Sequence, residues 1–219
     1  MPKVTDEYLA GKRNLILEYT GEILKEKPLY LITMRDIIKK AGFSQGVIYR
    51  YYANLDEIYV DFINKYTTHY ALEKRIDTLL GSGQPERIVL SECFIAIGEY
   101  IAELLKSGVG KTFYELLVLY SGDYEKRVAL FPKLKFKQSL EYAQLKTVEY
   151  AMRSVESGVF RPQIPLHTVI SFVSVFIDGI SQSVVFSTAE GNDTDSESAM
   201  DIPEMFRILA KTVISFLEA

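Results

Sequence analysis

The sequence has little of the chemistry on which most metal sites and many enzymes depend. Its 219 residues include one cysteine, two histidines and no tryptophan. A single cysteine excludes an internal disulfide, which fits a reducing cytoplasm. Cys93 lies in an apolar helical pattern, so we expect a buried thiol rather than a redox sensor. His69 and His167 lack the acid/His spacing of a zinc helix, so we expect both to be structural and predict no metal site.

Other catalytic signatures are also missing. No glycine-rich loop has either of the common phosphate-binding spacings, and no pair of carboxylates stands out by an apolar setting. The sequence therefore gives no positive evidence for enzymatic activity, and we predict no cofactor.

Marks of secretion and membrane insertion are likewise lacking. Asp6 and Glu7 interrupt the start of the chain, so it has no apolar run of the kind found in a secretory signal. The most apolar stretch, residues 164–186, contains His167, Asp178 and several serines. We therefore expect a buried or interface helix there rather than a membrane span, and a cytoplasmic protein with no membrane partner.

Charge is distributed unevenly along the chain. The net charge is −4, which alone argues weakly against nucleic acid. However, residues 1–53 carry nine basic and six acidic residues, whereas the remainder carries 16 basic and 23 acidic residues. A basic N-terminal segment is the electrostatic pattern expected of a phosphate-binding module, and the acidic remainder helps to keep the rest of the surface off DNA.

Within the basic segment, the stretch that reads TMRDIIKKAGFSQGVIYRYYANLDEI begins at Thr33 and predicts two short helices. The apolar residues of the first helix recur at i, i+3, i+4 and i+7 and are Met34, Ile37, Ile38 and Ala41. Thr33 is its expected N-cap, with Asp36 in an Asp variant of the capping-box spacing. Gly42 tolerates positive φ, which suits a sharp reversal. Helix, tight turn and helix together predict a helix-turn-helix motif.

The second helix combines a packing face with a chemically specific outer face. Ser44 is a good N-cap, and Ile48 and Tyr52 share the face that packs on the first helix. The outer face offers groups that hydrogen-bond base edges and phosphates, and a glycine that lets the backbone approach a duplex. Its members are Gln45, Gly46, Val47, Tyr49, Arg50 and Tyr51. The alternative is an ordinary tyrosine-rich helix of a helical core.

These residues resemble the DNA-binding domain of TetR-type transcriptional regulators. The family pattern is a Thr, an apolar residue, Ile, Ala-Gly-x-Ser-x-Gly, Tyr-x-Tyr/His-aromatic and an acidic start of the next helix. The matching positions are Thr33, Met34, Ile37, Ala41, Gly42, Ser44, Gly46, Tyr49, Tyr51, Tyr52, Asp56, Glu57 and Ile58. The chain departs from the pattern at Pro28, where a Gly is common, at Val47, where a polar residue is frequent, and at Leu55, where many members have a phosphate-binding Lys.

The resemblance implies an all-α fold with two domains. A three-helix DNA-binding domain is expected at residues 1–53 and a larger helical ligand-binding and dimerisation domain at residues 54–219. A homodimer would place two recognition helices in successive major grooves of a palindromic double-stranded DNA operator. Bases are expected to be read by Gln45, Val47 and Arg50. Phosphates are expected to be held by Thr33, Tyr49 and Tyr51, with Ser44 and Gly46 completing the predicted interface.

Helical periodicity continues on both sides of this motif. We expect residues 1–10 to form a loose arm and residues 12–25 to form the first helix. From Asn54 to about residue 78 the apolar residues keep one period without Gly or Pro, which predicts one long, stiff helix. The resemblance makes this helix the lever between the two domains.

The C-terminal third predicts the dimer interface. A helix at about residues 166–188 is apolar around much of its circumference and needs partners on two sides. A last helix opens at Asp201 or Pro203. The resemblance implies that these two helices and their copies in a second subunit form a four-helix bundle.

Aromatic residues on the helices after residue 54 predict a cavity for an apolar or aromatic effector, although each of them also suits a plain core. The candidates are Tyr66, Tyr70, Phe94, Tyr100, Phe113, Tyr114, Tyr142, Tyr150 and Phe176. Glu149 and Arg153 are either polar anchors in such a cavity or an exposed i,i+4 ion pair, and we favour the ion pair.

Together these observations predict a ligand-responsive DNA-binding regulator, most simply a repressor that a small effector releases from its operator. The alternative from another class is an all-helical module that binds a small molecule or a protein and has lost operator binding, for which Leu55 is the support. A steep loss of DNA binding with rising salt distinguishes the two.

Overall fold

The computed structural model describes residues 6–67, 71–106, 109–189 and 200–218. These residues are all-α, with no strand among them. The α-helices are α1 (Asp6–Glu26), α2 (Met34–Ala41), α3 (Gln45–Tyr51), α4 (Leu55–Thr67), α5 (Leu72–Leu80), α6 (Glu86–Lys106), α7 (Val109–Leu119), α8 (Tyr124–Leu130), α9 (Lys135–Glu156), α10 (Leu166–Ala189) and α11 (Ile202–Leu217). Short 3-10 helices lie at Leu29–Leu31 and Phe131–Lys133. The all-α prediction is confirmed.

The described chain divides into two compact units. The first contains residues 6–67 and 111–135, and the second contains residues 71–106, 109–110, 136–189 and 200–218. This division by packing differs from the predicted domains 1–53 and 54–219, because α4 and the 111–135 segment pack with the N-terminal helices. Whether the chain also folds as domains divided at residue 53 stays a prediction.

The first helix is longer than expected. It begins at Asp6, so the predicted loose arm over residues 1–10 is wrong for residues 6–10. Its inner face buries Ile16, Leu17, Thr20 and Ile23. The Thr20 hydroxyl donates to the Ile16 carbonyl at 2.8 Å, so a polar residue is accommodated in this face without an unpaired group.

The α2–α3 pair is the predicted helix-turn-helix, and its local structure follows from the sequence signals. Thr33 and Asp36 form the reciprocal capping box at the start of α2. Gly42 ends α2 with φ 65° and ψ 17°, a left-handed conformation that costs other residues about 1–2 kcal/mol. Ile48 and Tyr52 are 0% and 1% exposed, so the expected face of α3 is the one that packs.

The predicted single helix from residue 54 to about 78 is wrong. Helix α4 ends at Thr67 and α5 begins at Leu72, with Ala71 before it at φ −86° and ψ 50°. The apolar phase explains the change. Ile63 is buried in α4 and Leu72 in α5, and nine residues at 100° each place them on opposite sides of a continuous helix.

Polar contacts join residues 111–135 to the N-terminal helices within the first unit. The buried Asp56, at the start of α4, accepts hydrogen bonds from the Tyr120 hydroxyl and the Lys126 ammonium. The Leu29 N–H donates to the Glu115 carboxylate at 2.7 Å. The junction between α1 and α2 is thereby tied to α7, and α4 is tied to the α7–α8 region.

The second unit is built on close packing of α6 against α11. A Cβ added at Gly98 on α6 would overlap the Phe206 side chain of α11, so no larger residue fits there. Asp201 caps α11 by accepting the Glu204 N–H at 3.0 Å, which confirms the predicted start. Cys93 of α6 is fully buried, and this burial raises the pKa of its thiol to about 11, so it is protonated at neutral pH.

Helix α10 has the two apolar sides that the sequence predicts. Val169, Ile177 and Ile180 are buried within the unit, whereas Phe172 and Val175 are 41% and 72% exposed. None of the helices in the described part of the chain combines the length and the hydrophobicity needed to cross a membrane.

Gly42 and Gly46 provide a matched test of the turn. Gly42→Ala is expected to lower the free energy of unfolding by about 1–2 kcal/mol, because alanine is strained at positive φ. Gly46→Ala is expected to leave it unchanged or raise it by up to about 1 kcal/mol, since Gly46 is helical and a Cβ there meets no atom within 4 Å. Urea denaturation of both variants measures the difference, and equal midpoints would contradict it.

Candidate nucleic-acid interface and internal cavity

Helix α3 presents an outer face that is open to solvent. Gln45, Gly46 and Arg50 are exposed, and Tyr49 is 45% exposed. Val47 and Tyr51 are half-buried. These residues belong to one helix of the first unit, so the structure brings six of the eight predicted DNA contacts together on α3 and places Ser44 directly before it.

The polar groups of this face are uncommitted. Among the residues that the structure describes, the side chains of Gln45, Tyr49, Arg50 and Tyr51 make no hydrogen bond or ion pair. Their donors and acceptors are thus available to base edges and phosphates. A helix surface whose role is only solvation is more typically laced with ion pairs.

The inner face of α3 is fixed by contrast. The Tyr52 hydroxyl donates to Asp61 at 2.9 Å, and Asp61 also pairs with Arg13 of α1 at 3.0 Å. The Arg13 guanidinium lies 5.2 Å from the centre of the Tyr52 ring. Burial raises the pKa of the Tyr52 phenol, so the hydroxyl stays protonated and remains a donor. This contact holds the recognition helix against α1 and α4.

The cations of the first unit fall into paired and unpaired groups. Lys27 pairs with Asp36 at 2.8 Å, and Lys40 pairs with Glu22 and Glu26 at 3.3 and 3.1 Å. Within the described residues, three exposed cations on α2 and α3 have no such partner: Arg35, Lys39 and Arg50. Arg35 and Lys39 lie four residues apart on the face of α2 opposite buried Ile37,. The uncompensated positive charge of the motif therefore lies on the outer surfaces of α2 and α3.

Thr33 is engaged in the capping box. Its hydroxyl donates to the Asp36 carboxylate at 2.8 Å and accepts the Asp36 N–H at 3.3 Å. Hydrogen bonds from Lys27 and then Thr33 lower the pKa of Asp36 to about 2, so the box is intact at neutral pH. A hydroxyl has one proton to donate. A phosphate at this end of α2 would meet the first free backbone N–H groups, at Met34 and Arg35, unless the hydroxyl left Asp36.

The starts of α3 and α4 differ in whether side chains cap the free backbone N–H groups. Ser44 makes no side-chain capping bond to α3, which leaves its exposed hydroxyl available to a phosphate. At the start of α4, Asn54 accepts the Glu57 N–H at 3.1 Å, and Glu57 accepts the Ala53 N–H at 2.8 Å. Leu55 is half-buried between Asn54 and Glu57. The start of α4 therefore has no cation at the position where many TetR-type regulators have a lysine.

The second unit contains a cavity among α6, α9, α10 and α11. Twelve of its fifteen lining residues have hydrocarbon side chains: Leu90, Phe94, Ile97, Val148, Ala151, Leu166, Val169, Ile170, Val173, Ile177, Val213 and Leu217. The polar exceptions are Gln144, Thr147 and Ser174. Such a lining suits an apolar small molecule.

The predicted aromatic pocket residues are scattered. Phe94 lines the cavity, and Phe176 packs against Phe206 with ring centres 5.8 Å apart. Tyr100 is buried on α6, and Tyr142 donates to Asp77 at 2.7 Å. Tyr150 is half-buried on α9, while Tyr66, Phe113 and Tyr114 belong to the first unit and Tyr70 lies outside the described residues. The aliphatic lining was missed because its spacing is that of any helical core.

Glu149 and Arg153 were predicted either to pair with each other or to anchor a ligand in the cavity. Glu149 pairs with Lys146 at 3.1 Å, so the favoured Glu149–Arg153 ion pair is wrong. Side chains three residues apart on a helix can meet as well as side chains four residues apart. The Glu149 carboxylate therefore pairs with the Lys146 ammonium rather than with the Arg153 guanidinium. Neither Glu149 nor Arg153 lines the cavity.

The histidines add no metal site to the described structure. His167 is exposed near the start of α10, and His69 lies outside the described residues. No group of three or more potential metal ligands occurs in the part of the chain that the structure describes.

Comparison with known proteins identifies the motif. Residues 16–61 match the model of bacterial regulatory proteins of the tetR family. The chain is also 26% identical over 219 residues to the HTH-type transcriptional regulator YfiR of Bacillus subtilis, covering 97% of both chains. Residues 16–61 therefore belong to the tetR family of bacterial regulatory proteins.

Other transcriptional regulators match the chain in sequence or in fold. The HTH-type transcriptional repressor KstR2 of Mycobacterium tuberculosis is 26% identical over 165 residues, which covers 74% of this chain and 76% of that protein. The structure of the ketosteroid transcriptional regulator KstR2 has a TM-score of 0.54 at 18% identity and covers 95% of each chain. FadR of Bacillus subtilis in complex with stearoyl-CoA has a TM-score of 0.54 at 14% identity, covering 93% of this chain and 98% of that one. The family model and the curated relatives identify this chain as a DNA-binding transcriptional regulator, as predicted.

The pairing of cations on α2 generates a test of the interface. The double variant Arg35→Ala/Lys39→Ala is expected to flatten the slope of log affinity against log salt by about one to two for each bound subunit, because each unpaired cation that meets a phosphate contributes about 0.9 to it. Titration of a DNA duplex at several salt concentrations measures the slope.

Lys40→Ala is the matched control, since Lys40 is adjacent in sequence but is paired with Glu22 and Glu26. We expect a change of less than half that of the double variant. An equal or larger change with Lys40→Ala would show that the paired and unpaired cations were assigned to the wrong roles.

Proposed function

We propose that this TetR-family regulator is a homodimeric cytoplasmic repressor, without enzymatic activity, that an apolar effector releases from a palindromic operator. The observation that carries the proposal is the outer face of α3, whose polar side chains are exposed and uncommitted while its inner face is anchored at Tyr52. Two such helices, about 34–36 Å apart in a dimer, would enter successive major grooves.

The side chains of α3 suggest how bases are read. Arg50 suits the two acceptors of guanine, Gln45 suits adenine, and Val47 suits the methyl group of thymine. Tyr49, Tyr51, Ser44 and the start of α2 would hold phosphates on either side. Because phosphate contacts carry little sequence information, Arg50 is expected to dominate base preference.

The exposed side of α10 supports a homodimer. Phe172 and Val175 are large apolar residues that are 41% and 72% exposed in the isolated chain. A second copy of α10 would cover both side chains. Two large apolar side chains exposed on one helix favour such an interface, because a monomer would leave them in water.

The cavity of the second unit supports an apolar effector. Its lining is hydrocarbon apart from three residues, and two TetR-family neighbours bear names that refer to a ketosteroid and to stearoyl-CoA. An effector that binds better to one arrangement of the dimer than to the DNA-bound arrangement would shift the population away from the operator. The magnitude of release is then set by that difference in affinity.

A second function is favoured by the start of α4. There Leu55 replaces the expected lysine, and Asn54 and Glu57 occupy the capping positions. This arrangement supports a helical module that binds a small molecule or a protein without an operator. DNA affinity that is weak and independent of salt would favour this second function.

Base reading by Arg50 can be tested directly. Arg50→Ala is expected to weaken binding by about 10- to 100-fold for each half-site of the preferred operator and to relax the preference at one base pair of each half-site, because a bidentate arginine–guanine contact contributes about 1–3 kcal/mol of discrimination. Selection from a random duplex pool, followed by affinity measurement, provides both values. Unchanged affinity and preference would remove Arg50 from the base-reading set.

The dimer surface generates a further prediction. Val175→Glu is expected to convert the protein to monomer at micromolar concentration, because the new carboxylate would be buried in the α10 interface without a partner. Val128→Glu, at a 54% exposed position of α8, is the matched control and should remain dimeric. Sedimentation velocity measures both, and a dimer of unchanged affinity for Val175→Glu would place the interface elsewhere.

A further inference from the structure

We infer that the effector carries an electrically neutral hydrogen-bonding group on a hydrocarbon body, and that Gln144 of α9 is the residue that recognises this group. The inference rests on the proposed function in one respect only, that the cavity of the second unit is the effector site. It adds the chemical class of the ligand and the residue that reads it.

The lining of the cavity decides the charge of the ligand. None of the fifteen described lining residues carries a charged side chain. A carboxylate or phosphate placed there would lose its hydration without gaining a cation, which is unfavourable by several kilocalories per mole in a protein interior. A charged group of any ligand must therefore stay outside this lining, and the part that is enclosed is neutral.

The three polar lining residues are not equivalent. The Thr147 hydroxyl donates to the Ala143 carbonyl at 2.7 Å, and the Ser174 hydroxyl donates to the Ile170 carbonyl at 3.1 Å. Each hydroxyl has committed its one proton to its own helix, so neither can donate to a ligand without breaking that bond. They contribute at most an acceptor lone pair.

Gln144 is different because its amide is uncommitted. Within the described residues its side chain makes no hydrogen bond, although it is half-buried and lines an apolar cavity. It lies three and four residues before Thr147 and Val148, which puts all three on one face of α9. The amide offers two donors and one acceptor, so it can serve a ketone, an ester or an alcohol.

Specificity follows from the cost of leaving this amide unpaired. A ligand that offers a neutral acceptor or hydroxyl satisfies Gln144, whereas a pure hydrocarbon leaves it without a partner in an apolar setting. A carboxylate would accept from the same amide but would have no countercharge in the lining. The site therefore discriminates by charge and by the presence of one polar group.

The test uses eight-carbon probes that share a chain and differ in their polar end: 1-octanol, 2-octanone, octanoate and octyl phosphate. Calorimetric titration into the full-length protein at pH 7.5, without DNA, is expected to show that the alcohol and the ketone bind at least tenfold more tightly than the two anions, whose charge is attached directly to the chain. Tighter or equal binding of octanoate or octyl phosphate would overturn the inference, and so would the absence of binding by all four probes.

Variants then assign the recognition to Gln144. Gln144→Leu is expected to weaken both neutral probes by about tenfold. Gln144→Met keeps the length of the side chain but has no hydrogen-bond donor, so it should weaken 2-octanone by about tenfold as well. Gln138→Leu, an exposed position on the same helix, is the control and should bind both neutral probes as the unmodified protein does. Equal affinities for all three variants would remove Gln144 from the site.

Failure of this inference is distinguishable from failure of the proposed function. If the neutral probes bind in a Gln144-dependent way but the protein shows no salt-dependent operator binding, the inferred ligand class is supported and the proposed repressor function is wrong. If an operator is bound but the anionic probes bind best, the proposed repressor function is supported and the inference of a neutral ligand is wrong.

Discussion

The buried carboxylate of Asp56 is the interaction on which the arrangement of the first unit depends. It is 7% exposed at the start of α4 and accepts hydrogen bonds from Tyr120 and Lys126. A buried carboxylate is costly unless it is paired, and removal of one partner from such a site is strongly destabilising. Helix α4 and the α7–α8 region are therefore obliged to stay together. The same unit contains α2 and α3, so the helix-turn-helix and residues 111–135 lie in one compact platform.

Hydrogen bonds from this platform hold both ends of the helix-turn-helix. Glu115 accepts the Leu29 N–H just before α2, and Asp61 of α4 accepts the Tyr52 hydroxyl just after α3. Both ends of the helix-turn-helix are thus anchored to charged groups that lie outside it. The outer face of α3 has no such contacts among the described residues. The contrast between an anchored inner face and an uncommitted outer face is what a surface built to receive DNA requires.

Sequence signals with a local physical cause predicted the motif well. The capping box at Thr33, the positive φ of Gly42 and the packing of Ile48 each depend on residues within a few positions, so the sequence alone contains the relevant information. The break between α4 and α5 was missed because the period of Ile58 to Tyr66 was extended past the point where Leu72 changes its phase. That change of face follows from tertiary packing on two different units.

The candidate sites show the same limit. The distinction between paired Lys40 and unpaired Lys39 depends on where Glu22 and Glu26 of α1 lie in space. The setting of Gln144 depends on helices α6, α10 and α11, whose mostly hydrocarbon side chains line the same cavity. Aromatic residues were the visible signal for a cavity, but aliphatic residues line most of it. Aliphatic side chains at helical spacing have the same pattern in a filled core and in a cavity, so the sequence cannot separate the two.

The proposed function and the inferred ligand class together require that a neutral ligand in the cavity lowers the affinity of the chain for its operator. The most direct measurement is selection from a random duplex pool with the full-length protein, carried out in parallel with and without saturating 1-octanol. We expect enrichment of a palindrome with half-sites about one helical turn apart, and loss of that enrichment when the ligand is present. Absence of any enriched sequence at every salt concentration, or enrichment that the bound ligand leaves unchanged, would contradict it.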